Sequence, residues 1–326
     1  MIGFVALAFG QVAQSPATAG DLGLPVDCTP GETCFVQQYP DMQPGAGVLD
    51  PFCGAATYDD HDGLDIRVLS LVEMRKGVAV TAVADGTVLR GRDGVADSLV
   101  ETDADRQAVK DHECGNGLVI DHGGGLQAQY CHLRKGSVSV RPGDTVAKGQ
   151  PVGLIGASGQ AEFPHVHVTF RRQGKVVEPA TGLALGAGCI ADPQARKPLW
   201  DAAALDWLDK ADTHFLAIGL AGGALDYASL VVDGPPAPPT SGDVALVGWG
   251  WFANLEPGDR IRIRVLGPSG GVIIDSTDRP LDRAKAAYSA FAGRKGTPPP
   301  GDYRLLVELM RGGKAFDRRE KTVTIR

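Results

Sequence analysis

Residues 164–170 read Pro-His-Val-His-Val-Thr-Phe, and this alternation constrains the fold more than any other stretch of the chain. Successive side chains of a strand point to opposite faces. Val166, Val168 and Phe170 therefore take one face, apolar and suited to a core, while His165 and His167 share the other. Two imidazoles on one face of a rigid strand make part of a metal site, or a metal ligand beside a group that handles protons. Two partly exposed histidines on an ordinary sheet are the alternative, because a His-x-His match alone is a weak signal.

The rest of the sequence suits the same geometry. Its 326 residues are enough for two domains. With 44 glycines, 22 prolines and only 6% aromatic residues, it favours many short strands joined by tight turns over long helices. A net charge of -7 argues against a nucleic-acid partner and gives no general attraction to anionic surfaces. Residues 1–19 read as an export signal: Ile2 to Phe9 is apolar, and Ala17-Thr18-Ala19 is a small-x-small cleavage site, although a basic leading segment is missing. No other run approaches the roughly 18–20 apolar residues of a membrane span. The six cysteines, Cys28, Cys34, Cys53, Cys114, Cys131 and Cys189, are even in number and include no Cys-x-x-Cys pair. That suits disulfides in an oxidising compartment, against reduced buried cysteines as the alternative. Cys114 and Cys131 flank an expected hairpin and are the first pair to join.

Residues 20–57 form a disulfide-pinned lead-in of little periodicity. A Gly-rich antiparallel β domain follows over 58–190. In it Val78–Val83 and Gly86–Leu89 read as paired strands around Ala84-Asp85. Residues 91–113 are a charged, solvated insertion. Gly117–His122 and Leu126–Leu133 form a hairpin around Gly123-Gly124-Gly125, with His122 exposed at its end. Residues 191–212 are a linker with a short helix over Leu199–Lys210. Residues 213–326 hold strands at Phe215–Ile218, Ala228–Val232, Val244–Trp251, Arg260–Leu266, Val272–Asp275, Ala287–Phe291, Tyr303–Leu309 and Lys321–Ile325. Regular turn signals between them predict an immunoglobulin-like β-sandwich. The whole chain is thus mostly β.

A second motif, His61-Asp62-Gly63-Leu64-Asp65, lies upstream of the histidine strand. Gly63 argues against a helix there, so His61 and Asp65 can share a face where a turn feeds a strand. An imidazole and a carboxylate are good zinc ligands, and one more histidine would complete three. Three protein ligands leave a fourth position for water, as in a catalytic rather than a structural zinc site.

The motifs then follow in order: His61-x-Gly63-x-Asp65; Ala82-x-Ala84-Asp85-Gly86-Thr87-Val88; Gly115-Asn116-Gly117 with Ile120-Asp121-His122-Gly123; Tyr130-Cys131-His132-Leu133; Pro142-Gly143-Asp144-x-Val146-x-x-Gly149-Gln150; Gly156-x-Ser158-Gly159; and His165-Val166-His167. Over residues 58–180 this resembles the lysostaphin/LytM-type zinc metallopeptidases. The resemblance implies one Zn2+ per chain held by His61, Asp65 and His167, with His132 and His165 beside the metal as catalytic groups. One of the two would take a proton from the attacking water and the other would stabilise the oxyanion; which does which is left open. It further implies hydrolysis of peptide bonds in bacterial peptidoglycan, and a periplasmic or secreted location.

Two other functions are weighed. One is a non-catalytic regulator of a cell-wall amidase built on the same fold; such relatives usually lack ligands that are all present here. The other is a proteinase of non-wall targets. His112, His122 and His214 are read as structural. Asn116 is expected to support a turn, and Tyr130 to pack. The C-terminal sandwich could bind wall glycan, dock a partner, or cap the groove. Trp249 and Trp251 share one strand face, as a sugar platform would, with burial in a core the favoured reading.

Overall fold

The computed structural model describes residues 20–209 and 213–326. The expected export signal over 1–19 and the last residue of the expected helix, Lys210, lie outside the described residues. The first part of the chain runs β1 (Val26–Asp27), β2 (Phe35–Gln38), β3 (Leu64–Arg67), helix α1 (Leu71–Lys76), β4 (Ala79–Thr81), β5 (Gly86–Arg92), helix α2 (Asp103–Ala108), β6 (Asn116–Asp121), β7 (Leu126–Leu133), β8 (Thr145–Val146), β9 (Pro151–Leu154), β10 (His165–Arg172) and β11 (Lys175–Val176). Helix α3 (Ala202–Leu208) leads into β12 (His214–Ala221), helix α4 (Tyr227–Asp233), β13 (Ala245–Leu255), β14 (Arg260–Leu266), β15 (Val272–Thr277), β16 (Lys285–Lys295), β17 (Gly301–Arg311) and β18 (Lys314–Ile325). No helix among the described residues is long and apolar enough to cross a membrane.

An antiparallel sheet in the order β2-β3-β10-β7-β6-β5-β8, with β11 added to β10, carries the histidine strand near its middle. One face is apolar. Val36, Leu64, Ile66, Ala128, Tyr130, Val166, Val168 and Phe170 join one core cluster, together with residues of the small β1-β4-β9 sheet. The period-2 pattern fixes this register, since a slip of one residue would turn the valines to solvent and the histidines into the core.

The hairpin β6–β7 forms as expected, and Cys114 is bonded to Cys131. Cys28 pairs with Cys34 and Cys53 with Cys189. The lead-in is more ordered than its sequence pattern suggests, because β2 forms the sheet edge against β3. The Val78–Val83 and Gly86–Leu89 segments do not pair with each other. Here β4 pairs with β1 and β9, while β5 pairs with β6 and β8. Ala84-Asp85 is therefore a crossing between sheets, and the Tyr130 hydroxyl accepts the Val83 amide proton at 3.0 Å just before it.

The C-terminal part is a sandwich of two sheets, β12-β13-β16 and β15-β14-β17-β18, around a core that includes Phe252, Ile263, Tyr303 and Leu305. The expected strand at Ala228–Val232 is instead helix α4. Asp226 caps it by accepting the Ser229 amide at 2.7 Å, and Gly234 ends it at φ 81°. These terminal signals outweigh the β propensity of Val231 and Val232. Helix α4 covers the outer face of the β12-β13-β16 sheet. Trp249 and Trp251 lie buried there with Leu230, Val231 and, from the first sheet, Phe35. They are interface core, not an exposed sugar platform.

Candidate metal centre

Register places the first pair of candidate ligands. His167 on β10 stands directly across from Asp65 on β3, and His165 across from Arg67. Opposite residues of an antiparallel pair share a face, so His167 Nδ1 reaches Asp65 Oδ1 at 2.8 Å. His61 sits in the turn before β3, and its Nε2 is 3.2 Å from both Asp65 Oδ2 and His167 Nδ1. The three groups form a cluster in which each contributes one ligand atom, all within 4.8 Å of one another.

Zinc bonds of about 2.0–2.1 Å in a tetrahedron separate ligand atoms by roughly 3.3 Å. The contacts here are already near that separation. The remaining ring nitrogens also fit. His61 Nδ1 lies 2.6 Å from the Tyr39 carbonyl oxygen, which leaves Nε2 as the lone-pair nitrogen. His167 Nε2 lies 3.1 Å from Asp62 Oδ1 and 3.0 Å from Thr169 Oγ1, which leaves Nδ1 facing the cluster. Metal-bound imidazoles are usually oriented in this way by a second acceptor. Asp62 is itself held by Arg171 at 3.2 Å. No sequence motif singles out Asp62. The only signal available was a carboxylate next to His61, which does not reveal that it serves His167.

Charge in the cluster is balanced internally. Burial works to raise the Asp65 pKa, but His61 and His165 beside it hold the carboxyl well below the usual range. Burial works to lower the His167 pKa, yet hydrogen bonds to Asp62 and Asp65 outweigh it and push it up to about 9.

His132 and His165 stand beside these three with ring centroids 4.5 Å apart. His165 shares its face with His167, as strand alternation predicts. His132 does not follow alternation. A regular β7 would put it on the core side with Tyr130, but its φ of 62° is left-handed and swings the ring to the site face. The turn is held by its own amide, which donates to Cys114 O at 2.8 Å. His132 Nδ1 is 2.8 Å from Ser158 O, and His165 Nδ1 is 2.8 Å from Phe163 O. Each ring therefore carries its proton on Nδ1, and each Nε2 is left as an acceptor. Burial, followed by the neighbouring His165 and His167, pushes the His132 pKa well below its ordinary value; burial also lowers that of His165.

Asn116 supports the backbone here: its side-chain amide donates to Val95 O at 2.8 Å and Leu133 O at 3.0 Å. His122, expected to be exposed, is 2% exposed with Nδ1 3.0 Å from Asp85 O. His112 lies in the exposed insertion, and His214 stacks on Phe35 at 6.3 Å.

The Peptidase family M23 profile matches residues 59–179. That stretch is an M23 peptidase domain. Within it the chain is 31% identical over 121 residues to a Haemophilus influenzae protein named an uncharacterized metalloprotease, covering 37% of this chain and 20% of that protein. It is 35% identical over 106 residues to the Escherichia coli murein hydrolase activator EnvC, covering 32% and 20%. Over 63 residues it is 38% identical to the Vibrio cholerae peptidoglycan DD-endopeptidase ShyA, covering 19% and 14%. The chain thus spans about a fifth or less of the length of these relatives.

Proposed function

We propose that this chain is a zinc metalloendopeptidase that hydrolyses peptide bonds of bacterial cell-wall peptidoglycan, acting in the periplasm or outside the cell. One observation carries this reading: three ligand atoms converge beside two further imidazoles whose free Nε2 atoms are acceptors in the same cleft. The relative named a peptidoglycan DD-endopeptidase supports the substrate class, and three disulfides support an oxidising compartment.

His61, Asp65 and His167 would hold zinc, which when bound supplies Lewis acidity and makes water more acidic. The residues of the chain do the rest. Both His132 and His165 are neutral at neutral pH, because burial disfavours their charged forms. Rings this close also resist holding two charges at once. One Nε2 accepts the proton of the attacking water, and a protonated Nε2 then serves as hydrogen-bond donor to the developing oxyanion or as acid to the leaving amine.

The experiment is release of muropeptides from purified sacculi by the zinc-loaded protein. Release is expected to stop with a chelator, return with zinc, and be absent in His167→Ala. Release that persists in both conditions removes the zinc mechanism. The activator relative favours a second reading, a regulator of a separate wall hydrolase. No release by the chain alone, with faster release when a purified wall amidase is present, would establish that reading instead.

A further inference from the structure

The cleft over the metal cluster is not made by the M23 domain alone. It encloses about 630 Å³ and is lined by Asp65, His132, His165 and His167 together with Arg283, Lys285 and neighbouring residues from the sandwich. This sandwich segment is fastened in place by buried polar groups. Arg67 Nη1 donates to Gln37 Oε1 at 3.0 Å, and the Gln37 amide donates to the carbonyl of Ala286. Gln37 and Arg67 are both fully buried. The Arg67 guanidinium lies 4.7 Å from the Phe163 ring centroid and 4.8 Å from that of Trp251, which ties the sandwich to the loop before His165.

The cations beside Ala286 differ from the other cation at the cleft. Arg106 is paired with Glu162 at 3.2 Å. Lys285 has only a distant contact, 3.8 Å, to Asp282, whose side chain is 83% exposed. Arg283 is exposed and makes no hydrogen bond or ion pair among the described residues. Two under-neutralised cations of different geometry thus border the cleft on a fastened strand end. A guanidinium offers paired donors to a carboxylate, and an ammonium adds a compact charge.

Resting on the peptidase reading above, we propose that Arg283 and Lys285 form a carboxylate subsite. It seats a free carboxylate of the wall peptide near the scissile bond and selects such peptides over their carboxamide forms. The sandwich is then a specificity wall of the catalytic cleft.

The test uses two synthetic cross-linked wall peptides, identical except that one bears the free carboxylate and the other a carboxamide. Each is measured for kcat/KM with the zinc-loaded full chain and for equilibrium binding to the zinc-free full chain. The parent is expected to prefer the carboxylate peptide about tenfold in both measurements. Arg283→Gln/Lys285→Gln is expected to abolish that preference, leave the carboxamide peptide within about twofold, and unfold at the parent's temperature, since neither side chain is core. Arg283→Lys is expected to keep most of the preference. Equal treatment of the two peptides by the parent, or a preference unchanged in the double variant, overturns the subsite while cleavage still supports the peptidase. Cleavage of neither peptide counts against the peptidase, whereas a binding preference lost in the double variant still upholds the subsite.

Discussion

Replacing Gly63 by alanine presses directly on the metal cluster and, more lightly, on one backbone carbonyl of β10. Gly63 is outside the left-handed region, so alanine meets no backbone strain. A Cβ there would stand 2.4 Å from His167 Nε2, 2.6 Å from its Cε1 and 2.9 Å from the Val168 carbonyl oxygen. Carbon contacts settle at about 3.5–4.0 Å, so the imidazole would have to retreat by roughly 1 Å or rotate. Either movement breaks its contacts with Asp62 and Thr169 and carries Nδ1 away from His61 and Asp65. Functional constellations tolerate displacements of only about 0.5 Å, and loss of an orienting partner alone costs about 10–100-fold in metal affinity. Gly63→Ala is therefore expected to weaken zinc binding at least tenfold, or about 1.4 kcal/mol, while secondary structure is retained. Competition against a chelating dye, paired with urea unfolding of the metal-free protein, separates the two effects. A zinc affinity within about threefold of the parent's, in a fully folded variant, would refute the reasoning, because His167 would then be free to move without cost.

Three further outcomes follow from the geometry. Asp62→Ala removes the carboxylate acceptor at His167 Nε2, leaving Thr169 Oγ1, and should weaken zinc about tenfold in the same dye competition, although Asp62 is outside the ligand cluster. His122→Asn tests linkage. Burial lowers the folded pKa of His122, so the unfolded chain binds its proton first. The stability it contributes is then complete above about pH 6.5 and is lost as pH falls toward the folded pKa, by at most about 1.4 kcal/mol per pH unit. Urea unfolding at about pH 7 and pH 5 should show a smaller acid loss in the variant than in the parent, and equal losses would count against the buried neutral imidazole. Trp251→Ala leaves a cavity between the sandwich and the first sheet and strips one ring from Arg67, costing about 3–5 kcal/mol. Thermal unfolding should fall accordingly, and a change below about 1 kcal/mol would mean the interface contributes little.

What could be read from sequence depended on period and on local signals. The histidine strand and the β6–β7 hairpin were legible because alternation and the Gly123–Gly125 turn are local. So were most sandwich strands, which regular turn signals bound, although only β14 and β17 alternate cleanly in burial. The convergence of His61 and Asp65 with His167, about a hundred residues away, has no local signal and was reached only through the order of motifs. Other features depend on contacts that no window of sequence contains. His132 faces the cluster because of one left-handed residue, not because of strand parity. Asp62 matters through a ring on another strand. Residues 228–232 have the composition of a strand, but capping at both ends makes them helical. His122 ends a hairpin and is nonetheless buried, because the crossing at Ala84-Asp85 places the Asp85 carbonyl against it.

The cost of the cluster supports the proposed catalysis over a purely structural role for this domain. Asp65, His61, His132 and His165 are each at most 7% exposed, in a sheet whose other face is an ordinary apolar core. Burying ionisable groups opposes folding, and hydrophobic residues of similar volume would usually stabilise such a site more. His132 adds an uncommon backbone conformation, which also costs free energy and persists only where its surroundings enforce it. A surface that merely docks a partner needs neither the buried charges nor the bent strand. The two features together leave two Nε2 acceptors facing the His61, Asp65 and His167 cluster from adjacent strands, and that arrangement is of use to a reaction in which a proton must move.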